Sequence, residues 1–334
     1  MILSIPSFIF KIYATSFLLW ILFTTSIPQT LIKYTNAQIQ NHKFVGKHYP
    51  QTSITVPKQL VTSHKVTNST VYFLIAHPDD EVMFFAPSIL ELSKPHYGNT
   101  VQILCFSKGD AVDASMGEIR QQELYNSARI LGIDKANVMV LDYKDGMNET
   151  WHTEDIIQSL KENINRNKIP KVVLITFDES GVSSHPNHIA LYHGARKYIN
   201  LQTSISNGPS SLARNKQNSK QPRDPKETSP RLYVLKSLGF LEKYSFTILT
   251  NIEFLIDHVT NVIKTFATVN INVSFFTPAN STSSIKIYSD LNMLACSYAA
   301  MAYGHLSQMV WFRYGWLMLS RYLTFNQLLE IKSV

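Results

Sequence analysis

The stretch "YFLIAHPDDEVMFF" (residues 72–85) places a run of apolar residues directly before a polar cluster that extends from His77 to Glu81. The apolar run is typical of a strand that is buried on both faces of a parallel sheet. Pro78 and the acidic residues after it suit the first turn of a helix, where the helix dipole favours negative charge. Helix capping does not require His77, so the stretch predicts a strand-to-helix junction with a chemical role.

The same pattern repeats along the chain from residue 71 to about residue 200. Short runs rich in β-branched residues predict strands at 71–76, 100–106, 138–142 and 171–177. Amphipathic segments predict helices at 81–94, 117–132 and 154–167. This alternation predicts an α/β fold with a Rossmann-like, doubly wound, mainly parallel sheet. Catalytic residues should then lie at the carboxyl ends of the strands.

The amino terminus predicts a membrane anchor. Between Lys11 and Lys33, 21 residues carry no charge, and a helix needs about 20 apolar residues to cross a bilayer. A cleaved signal peptide is the alternative, but its apolar region is usually shorter, roughly 7–15 residues. We therefore predict an uncleaved transmembrane helix within residues 1–33 and a linker at 34–67.

The orientation of this anchor is suggested by charge. Lysines beyond the anchor outnumber those before it, which favours a cytosolic domain under the positive-inside rule. Four N-x-S/T sequons would be glycosylation acceptors only if the domain faced a lumen. They lie at Asn68, Asn148, Asn272 and Asn280.

The remainder of the chain forms the predicted domain, residues 68–334. Residues 202–230 are rich in Ser, Asn, Pro and Lys and predict a disordered insertion in a surface loop. A strand is predicted at 231–237 and helices at 251–267 and 286–303. The apolar segment 305–323 contains Arg313 and Arg321, so it predicts either an amphipathic segment lying on the membrane or a helix packed in the core.

Composition excludes several classes of protein. The 334 residues carry a net charge of +7 without a dense Lys/Arg stripe, so we expect no nucleic-acid partner. Cys105 and Cys296 are too few for a disulfide framework and indicate a reducing compartment. The chain lacks G-x-S-x-G, H-E-x-x-H, P-loop and G-x-G-x-x-G motifs, which argues against serine hydrolases, zincins, kinases and dinucleotide enzymes.

A second polar cluster, "GVSSHPNH" (181–188), follows the fourth predicted strand. If Pro186 opens a helix, His185 and His188 are three positions apart and share one face. Two polar clusters at two strand ends of one parallel sheet are hard to explain as surface residues. The sequence therefore predicts that both clusters belong to one site.

The combined clusters suit metal-assisted hydrolysis of an acyl bond. His77, Asp80 and His188 offer two imidazoles and a carboxylate, a set that holds Zn²⁺ with a position open for water. The same set also suits Fe²⁺ or Mn²⁺. Asp79 is the candidate general base, and His185 is expected to stabilise an oxyanion or to protonate the leaving group.

At these residues the sequence resembles a known family, the metal-dependent de-N-acetylases of LmbE type, and most closely their membrane-anchored eukaryotic branch. The matching blocks are "AHPDDEVMFFAPSI" (76–89), "LCFSKGD" (104–110), "GEIRQQEL" (117–124), "LGI" (131–133), "FDESGVSSHPNHIALYHG" (177–194) and "SQMVWFR" (307–313). The resemblance implies hydrolysis of the acetamide of N-acetylglucosaminyl-phosphatidylinositol to glucosaminyl-phosphatidylinositol and acetate. This reaction is the second step of glycosylphosphatidylinositol-anchor synthesis, on the cytosolic face of the endoplasmic reticulum membrane.

The resemblance also implies residue roles that agree with the reading above. The metal ligands, the base and the histidine that serves the tetrahedral intermediate fall on the same five residues. Arg120, in the block that matches G-E-x-R, is a candidate for contacting the inositol phosphate, with a helix-surface arginine as the alternative. The sequence departs from the family at Ser184, where Gly is usual, and in the insertion at 202–230.

Two other functions compete with this reading. A luminal type II membrane glycosyltransferase would use the acidic cluster to hold Mn²⁺ and a nucleotide-sugar diphosphate, but it would have no use for three histidines. A non-catalytic membrane scaffold would need a broken site, whereas all five proposed residues are present.

Overall fold

The computed structural model describes residues 4–30, 66–111, 113–164, 171–206, 229–267 and 283–332. Nearly all of the predicted linker and residues 207–228 of the predicted insertion lie outside these ranges. The first five residues of that insertion, 202–206, instead continue a helix. The predicted start of the insertion is therefore wrong by one helical turn.

Seven strands form one sheet in the part of the chain that the structure describes. The strands are β1 (Thr70–Ile75), β2 (Thr100–Ser107), β3 (Val138–Tyr143), β4 (Val172–Phe177), β5 (Arg231–Leu235), β6 (Ser284–Tyr288) and β7 (Phe325–Ile331). Their order is β3-β2-β1-β4-β5-β7-β6, and β1 to β5 are parallel. Strand β7 runs antiparallel to both of its neighbours. The predicted α/β fold with a mainly parallel sheet is confirmed.

Helices pack on this sheet and on one another. They are α1 (Ser4–Ile21), α2 (Asp80–Met83), α3 (Ala86–Leu92), α4 (Met116–Ile130), α5 (Thr153–Asn163), α6 (Pro186–Ser206), α7 (Thr247–Ala267), α8 (Leu291–Ala299) and α9 (Trp311–Leu319). The core lies between these layers, and every residue of β1 and β4 is buried. Continuous burial explains why these strands are apolar throughout and do not alternate.

The sequence predictions fail mainly near the carboxyl terminus. The predicted helix at 286–303 is wrong at its start, because β6 occupies 284–288, and β7 was not predicted. Lys286 interrupts the apolar pattern of β6, yet its ammonium group is buried against Glu253 and Asp257, at 2.6 and 2.7 Å from their carboxylate oxygens. Because the partners of Lys286 are distant in sequence, the hydrophobic pattern around this lysine does not indicate that β6 is a buried strand.

The strand order creates a topological switch point between β1 and β4, near the centre of the sheet. β1 pairs with β2 on one side and with β4 on the other, so the chain connections leave in opposite directions from β1 and β4. Such a switch point leaves a crevice at the carboxyl ends of the two strands. Both polar clusters of the sequence begin at those ends.

Helix α1 continues through a π-helical turn (Leu22–Ser26) to residue 30. Its segment Ser7–Thr30 is the one helix within the described ranges that is long and apolar enough to cross a membrane. One face of α1 packs on α7 and on the residues just before it: Ser16 bonds Thr247 of α7, and the Tyr13 hydroxyl donates to the Tyr244 carbonyl. Trp20 is fully buried there. The apolar helix is therefore attached to the domain, and its role as an anchor stays a prediction.

Candidate metal and catalytic site

Three imidazoles from two distant parts of the chain lie close together at the switch point. His77 follows β1, and His185 and His188 flank the start of α6 after β4. The ring centroids of His77 lie 4.7 Å from His185 and 5.4 Å from His188, and those of His185 and His188 are 4.9 Å apart. The helix begins at Pro186, as the sequence predicts. The structure therefore brings the two clusters into one site.

Asp80 connects the two clusters. Its Oδ2 atom accepts the backbone N–H groups of Ala76 and His77 at 3.0 and 2.9 Å, and its Oδ1 atom lies 3.3 Å from His188 Nε2. Burial by itself would raise the pKa of Asp80, but the charge of His188 and the contacts with His77 hold that pKa well below its usual range. Asp80 is therefore ionised and is a carboxylate donor.

His188 is oriented for a ligand. Its Nδ1–H donates to the Gly181 carbonyl at 3.1 Å, and its ring stacks on Phe177 with centroids 3.8 Å apart. Its Nε2 atom is buried and has no hydrogen-bond partner among the described residues. A histidine whose other nitrogen is fixed by a carbonyl is the usual arrangement of a metal ligand.

The donor set fits a divalent ion. Donor atoms of His77, Asp80 and His188 all lie within 4.8 Å of one another, and all three residues are buried. Two donors bound tetrahedrally at about 2.0–2.1 Å from one zinc ion would be about 3.3 Å apart. The 3.3 Å between Asp80 Oδ1 and His188 Nε2 agrees with that spacing. Their assignment as metal ligands nevertheless rests on this fit and stays a prediction.

Asp145 is a site residue that the sequence reasoning missed. Its Oδ1 atom lies 2.8 Å from His77 Nε2, and Asn187 Oδ1 lies 3.2 Å from the same nitrogen. Burial alone would lower the pKa of His77, but the hydrogen bond to Asp145 and the nearby carboxylates raise it. With His185, Asp145 and His77 also form a second possible donor group. The sequence signal that could have indicated Asp145 is its position just after the carboxyl end of β3.

Asp79 is held by two arginines. Its Oδ2 atom accepts from Arg313 Nη2 at 2.7 Å and lies 3.4 Å from Arg120 Nη2. Its backbone is in the left-handed region, with φ 117°, and its N–H donates to Glu81 Oε2 at 3.0 Å. Aspartate is one of the few non-glycine residues that tolerate such a φ. The unusual backbone and the two guanidinium groups together fix where the carboxylate points.

Arg120 donates its hydrogen bonds to groups of the protein itself. Its Nη2 donates to the Pro78 carbonyl at 2.7 Å, and its Nη1 donates to the Gly109 carbonyl. These carbonyls and Asp79 engage both terminal nitrogens of the guanidinium group, which makes Arg120 a positioning residue for the junction after β1. Contact with an inositol phosphate stays a prediction.

Glu81 lies behind Asp79 in a buried polar cluster. Its Oε1 atom is 2.5 Å from His305 Nε2 and accepts the Ser127 hydroxyl at 2.5 Å. Both Glu81 and His305 are fully buried. Burial alone would lower the pKa of His305, but the charge and hydrogen bond of Glu81 raise it. Because Glu81 also accepts the Asp79 N–H, this buried pair supports the backbone of Asp79.

The turn that carries His185 is strained. Gly181, Val182 and Ser184 have φ values of 57°, 62° and 58°, and a left-handed conformation costs a non-glycine residue about 1–2 kcal/mol. The turn is held by a hydrogen bond from the Val182 N–H to Ser237 Oγ and one from Lys243 Nζ to the Val182 carbonyl. The positive φ of Ser184 gives a reason why glycine is usual at this position.

His185 is set up as a neutral hydrogen-bond donor. Its Nδ1 atom accepts the Asn187 N–H at 3.3 Å, so the proton of the neutral ring resides on Nε2. Burial, followed by the charges of His77 and His188, lowers the pKa of His185 to about 4. A neutral ring with its proton on Nε2 suits donation of a hydrogen bond to an oxyanion, and the role of His185 stays a prediction.

Comparison with known proteins identifies the class. Residues 72–199 match the PIG-L family model, described as GlcNAc-PI de-N-acetylase. The chain is 33% identical over 267 residues to the probable N-acetylglucosaminyl-phosphatidylinositol de-N-acetylase of Schizosaccharomyces pombe, covering 79% of this chain and 88% of that protein. A Saccharomyces cerevisiae relative named N-acetylglucosaminyl-phosphatidylinositol de-N-acetylase is 31% identical over 278 residues, covering 80% and 84%.

These matches show that the chain is an LmbE-like deacetylase. The chain belongs to the GlcNAc-PI de-N-acetylase family within that class, and it is an enzyme that hydrolyses N-acetyl groups. Membership of this family argues against the glycosyltransferase and scaffold alternatives. Among solved structures, N,N'-diacetylchitobiose deacetylase from Pyrococcus horikoshii is 18% identical, with a TM-score of 0.38, covering 57% of this chain and 68% of that one.

Proposed function

We propose that this enzyme hydrolyses the acetamide of N-acetylglucosaminyl-phosphatidylinositol, releasing acetate and glucosaminyl-phosphatidylinositol, at a site that binds a divalent metal. The names of its relatives support the substrate. The observation that carries the metal dependence is the convergence of His77, Asp80 and His188, with the buried His188 Nε2 atom facing Asp80 Oδ1 at 3.3 Å. This step is the second in the synthesis of glycosylphosphatidylinositol anchors.

The proposed ligands are His77, Asp80 and His188, and Zn²⁺ is our first choice of ion because two imidazoles and one carboxylate leave a position open. When bound, such an ion lowers the pKa of water and polarises an amide carbonyl. Asp145 acts through His77, because its carboxylate fixes the orientation of that ring. Asp80 is fixed in the same way by the backbone N–H groups after β1.

Asp79 and His185 supply the proposed acid–base and electrostatic chemistry. Asp79 accepts the proton of the attacking water, and Arg313 and Arg120 hold its Oδ2 atom during that transfer. His185 donates its Nε2–H to the oxygen on which charge develops. The proton that Asp79 has taken is then available for the departing amine, so the base returns to its ionised state.

We place the enzyme in the endoplasmic reticulum membrane as a single-pass protein with its domain in the cytosol. The apolar segment Ser7–Thr30 and the glycolipid substrate support this placement. Asn148 gives a test, because its sequon is exposed. In a eukaryotic host, we expect no glycosidase-sensitive mass on the protein. A mass shift that disappears in Asn148→Gln would show that the domain faces the lumen.

The direct test of the proposed function measures acetate release from the glycolipid by the purified full-length protein. We expect activity to be lost on chelation and restored by Zn²⁺, Fe²⁺ or Mn²⁺. His188→Ala should lose both the bound metal and the activity, whereas a matched substitution of the surface histidine His193→Ala should keep both. Undiminished acetate release after chelation, in protein shown by elemental analysis to be metal-free, would exclude the proposed mechanism.

A further inference from the structure

Helix α9 presents an uncharged aromatic face to its surroundings. Trp311 is 85% exposed and Met318 is 67% exposed, and Tyr314 lies between them on the same face. The opposite face carries Trp316, which is buried, and Arg313, which contacts Asp79. A surface helix normally exposes charged residues, so this inverted pattern needs a partner other than water.

A second exposed apolar pair belongs to the same surface. Phe240 is 75% exposed and Leu241 is 82% exposed, in the helical turn Phe240–Lys243. The Phe240 ring packs against Tyr244, and Tyr244 lines a cavity of about 440 Å³ together with α9. We call the outward side chains of this surface the apolar platform: Trp311, Tyr314, Met318, Phe240 and Leu241.

The apolar platform adjoins the segment that is apolar enough to span a membrane. The Tyr13 hydroxyl of α1 donates to the carbonyl of Tyr244, at 2.8 Å, so one residue contacts both α1 and the cavity beside the platform. The faces of α1 directed away from the domain expose Phe8, Phe10 and Leu18. If α1 enters a bilayer, the platform lies next to that bilayer.

The cavity also leads towards the catalytic residues. Met83 and Arg313 line it, and Arg313 contacts Asp79 through Nη2. Met83 follows Asp80 on the same short helix. A group that enters this cavity therefore arrives at Arg313, which in turn contacts the carboxylate proposed as the base.

We infer that the apolar platform lies in the interfacial layer of the lipid bilayer and holds the mouth of the site at the membrane surface. Trp and Tyr favour this layer because their rings are apolar while their N–H and O–H groups stay hydrated. Exposed apolar side chains of this size bind a bilayer in proportion to the area that they bury. Membrane contact would let the enzyme act on a headgroup without extracting the lipid, an inference that rests on the proposed function.

The experiment uses full-length protein in phosphatidylcholine vesicles. Acyl-brominated phosphatidylcholine quenches tryptophans that contact lipid, and the difference between wild type and Trp311→Phe isolates the signal of Trp311. We expect that signal to be quenched. In the triple variant Trp311→Ser, Tyr314→Ser and Met318→Ser, we expect acetate release from vesicle-embedded glycolipid to fall about tenfold, because the interfacial contact area is lost. The water-soluble headgroup without acyl chains should be hydrolysed within about twofold of the wild-type rate.

Leu201→Ser is the matched control, because Leu201 is an exposed apolar residue on α6, outside the platform. It should behave as wild type on both substrates. An unquenched Trp311 signal, or an equal loss on both substrates, would overturn the inference. A platform covered by a second copy would give a dimer that the triple variant dissociates and an unquenched Trp311, which also overturns it. If wild type hydrolyses neither substrate, the proposed function fails while the quenching still decides the membrane contact.

Discussion

The Arg313–Asp79 pair allows the most direct test of how the carboxylate is positioned. Arg313 Nη2 lies 2.7 Å from Asp79 Oδ2, whereas Arg120 Nη2 lies 3.4 Å from the same atom. Asp79 is only 4% exposed, so bulk solvent compensates little for a lost partner. The perturbation is Arg313→Gln, which keeps much of the side-chain volume and removes the charge.

The expected magnitude follows from the geometry. A hydrogen bond to a charged group contributes about 1.5–3 kcal/mol, and about 1.4 kcal/mol corresponds to a factor of ten. We therefore expect Arg313→Gln to lower kcat/KM about 10- to 100-fold. Most of the loss should fall on kcat, because the arginine orients a group that acts in the transition state. Arg120→Gln should have a smaller direct effect through Asp79, since its contact is longer.

The assay is acetate release from the water-soluble headgroup, which removes membrane contact as a variable. Metal content should be unchanged in Arg313→Gln, because neither Asp79 nor Arg313 is a proposed ligand. A thermal unfolding curve checks that the variant is folded. A folded, metal-loaded Arg313→Gln protein with kcat/KM within about twofold of wild type would refute the positioning role. Arg313→Lys should recover part of the activity, because it keeps the charge but loses the planar fork.

Three further predictions concern the surroundings of Asp79 and the metal ligands. His305→Ala removes the partner of buried Glu81 and should lower the free energy of unfolding by about 3–5 kcal/mol; denaturant titration measures it, and a loss below about 1 kcal/mol would contradict the buried pair. His185 has a folded pKa of about 4, below its ordinary value, so the unfolded chain binds more protons between the two values and stability falls as the pH drops through that window. In metal-free protein, His185→Gln should therefore lose less stability than wild type between about pH 7 and pH 5 in calorimetry, and equal losses would contradict the lowered pKa. Gly181→Ala adds a Cβ 2.9 Å from Ile189 Cγ1 at a φ of 57°, which should cost about 1–2 kcal/mol and lower metal occupancy by elemental analysis; unchanged occupancy would show that His188 does not depend on this turn.

The local hydrophobic pattern of the sequence was enough to predict the site residues that directly follow buried strands. The apolar runs of β1 and β4 are buried throughout, so their sequence marks them without knowledge of neighbours. Pro186 marks the start of α6 because proline suits the first helical turn. Polar residues placed at such boundaries are therefore visible from sequence, and His77, Asp80 and His188 are found together where the parallel strands end.

Contacts across the fold could not be predicted in this way. Arg313 is separated from Asp79 by 234 positions and His305 from Glu81 by 224. In the sequence, Arg313 marked the segment 305–323 as amphipathic or core-packed and ended the block "SQMVWFR", and neither feature connected it with Asp79. Asp145 was missed although it follows a strand, because nothing local says that β3 ends close enough for it to reach His77.

The sequence by itself determined the alternation of buried strands and amphipathic helices and the two polar junctions, because burial and helix starts leave periodic, short-range signals. Only the tertiary structure decided which partners those junctions receive: two arginines on Asp79, a histidine behind Glu81 and a carboxylate on His77. The physical reason is that a buried charge is tolerated wherever an opposite charge reaches it. The sequence between two such residues contains no local pattern that indicates their contact.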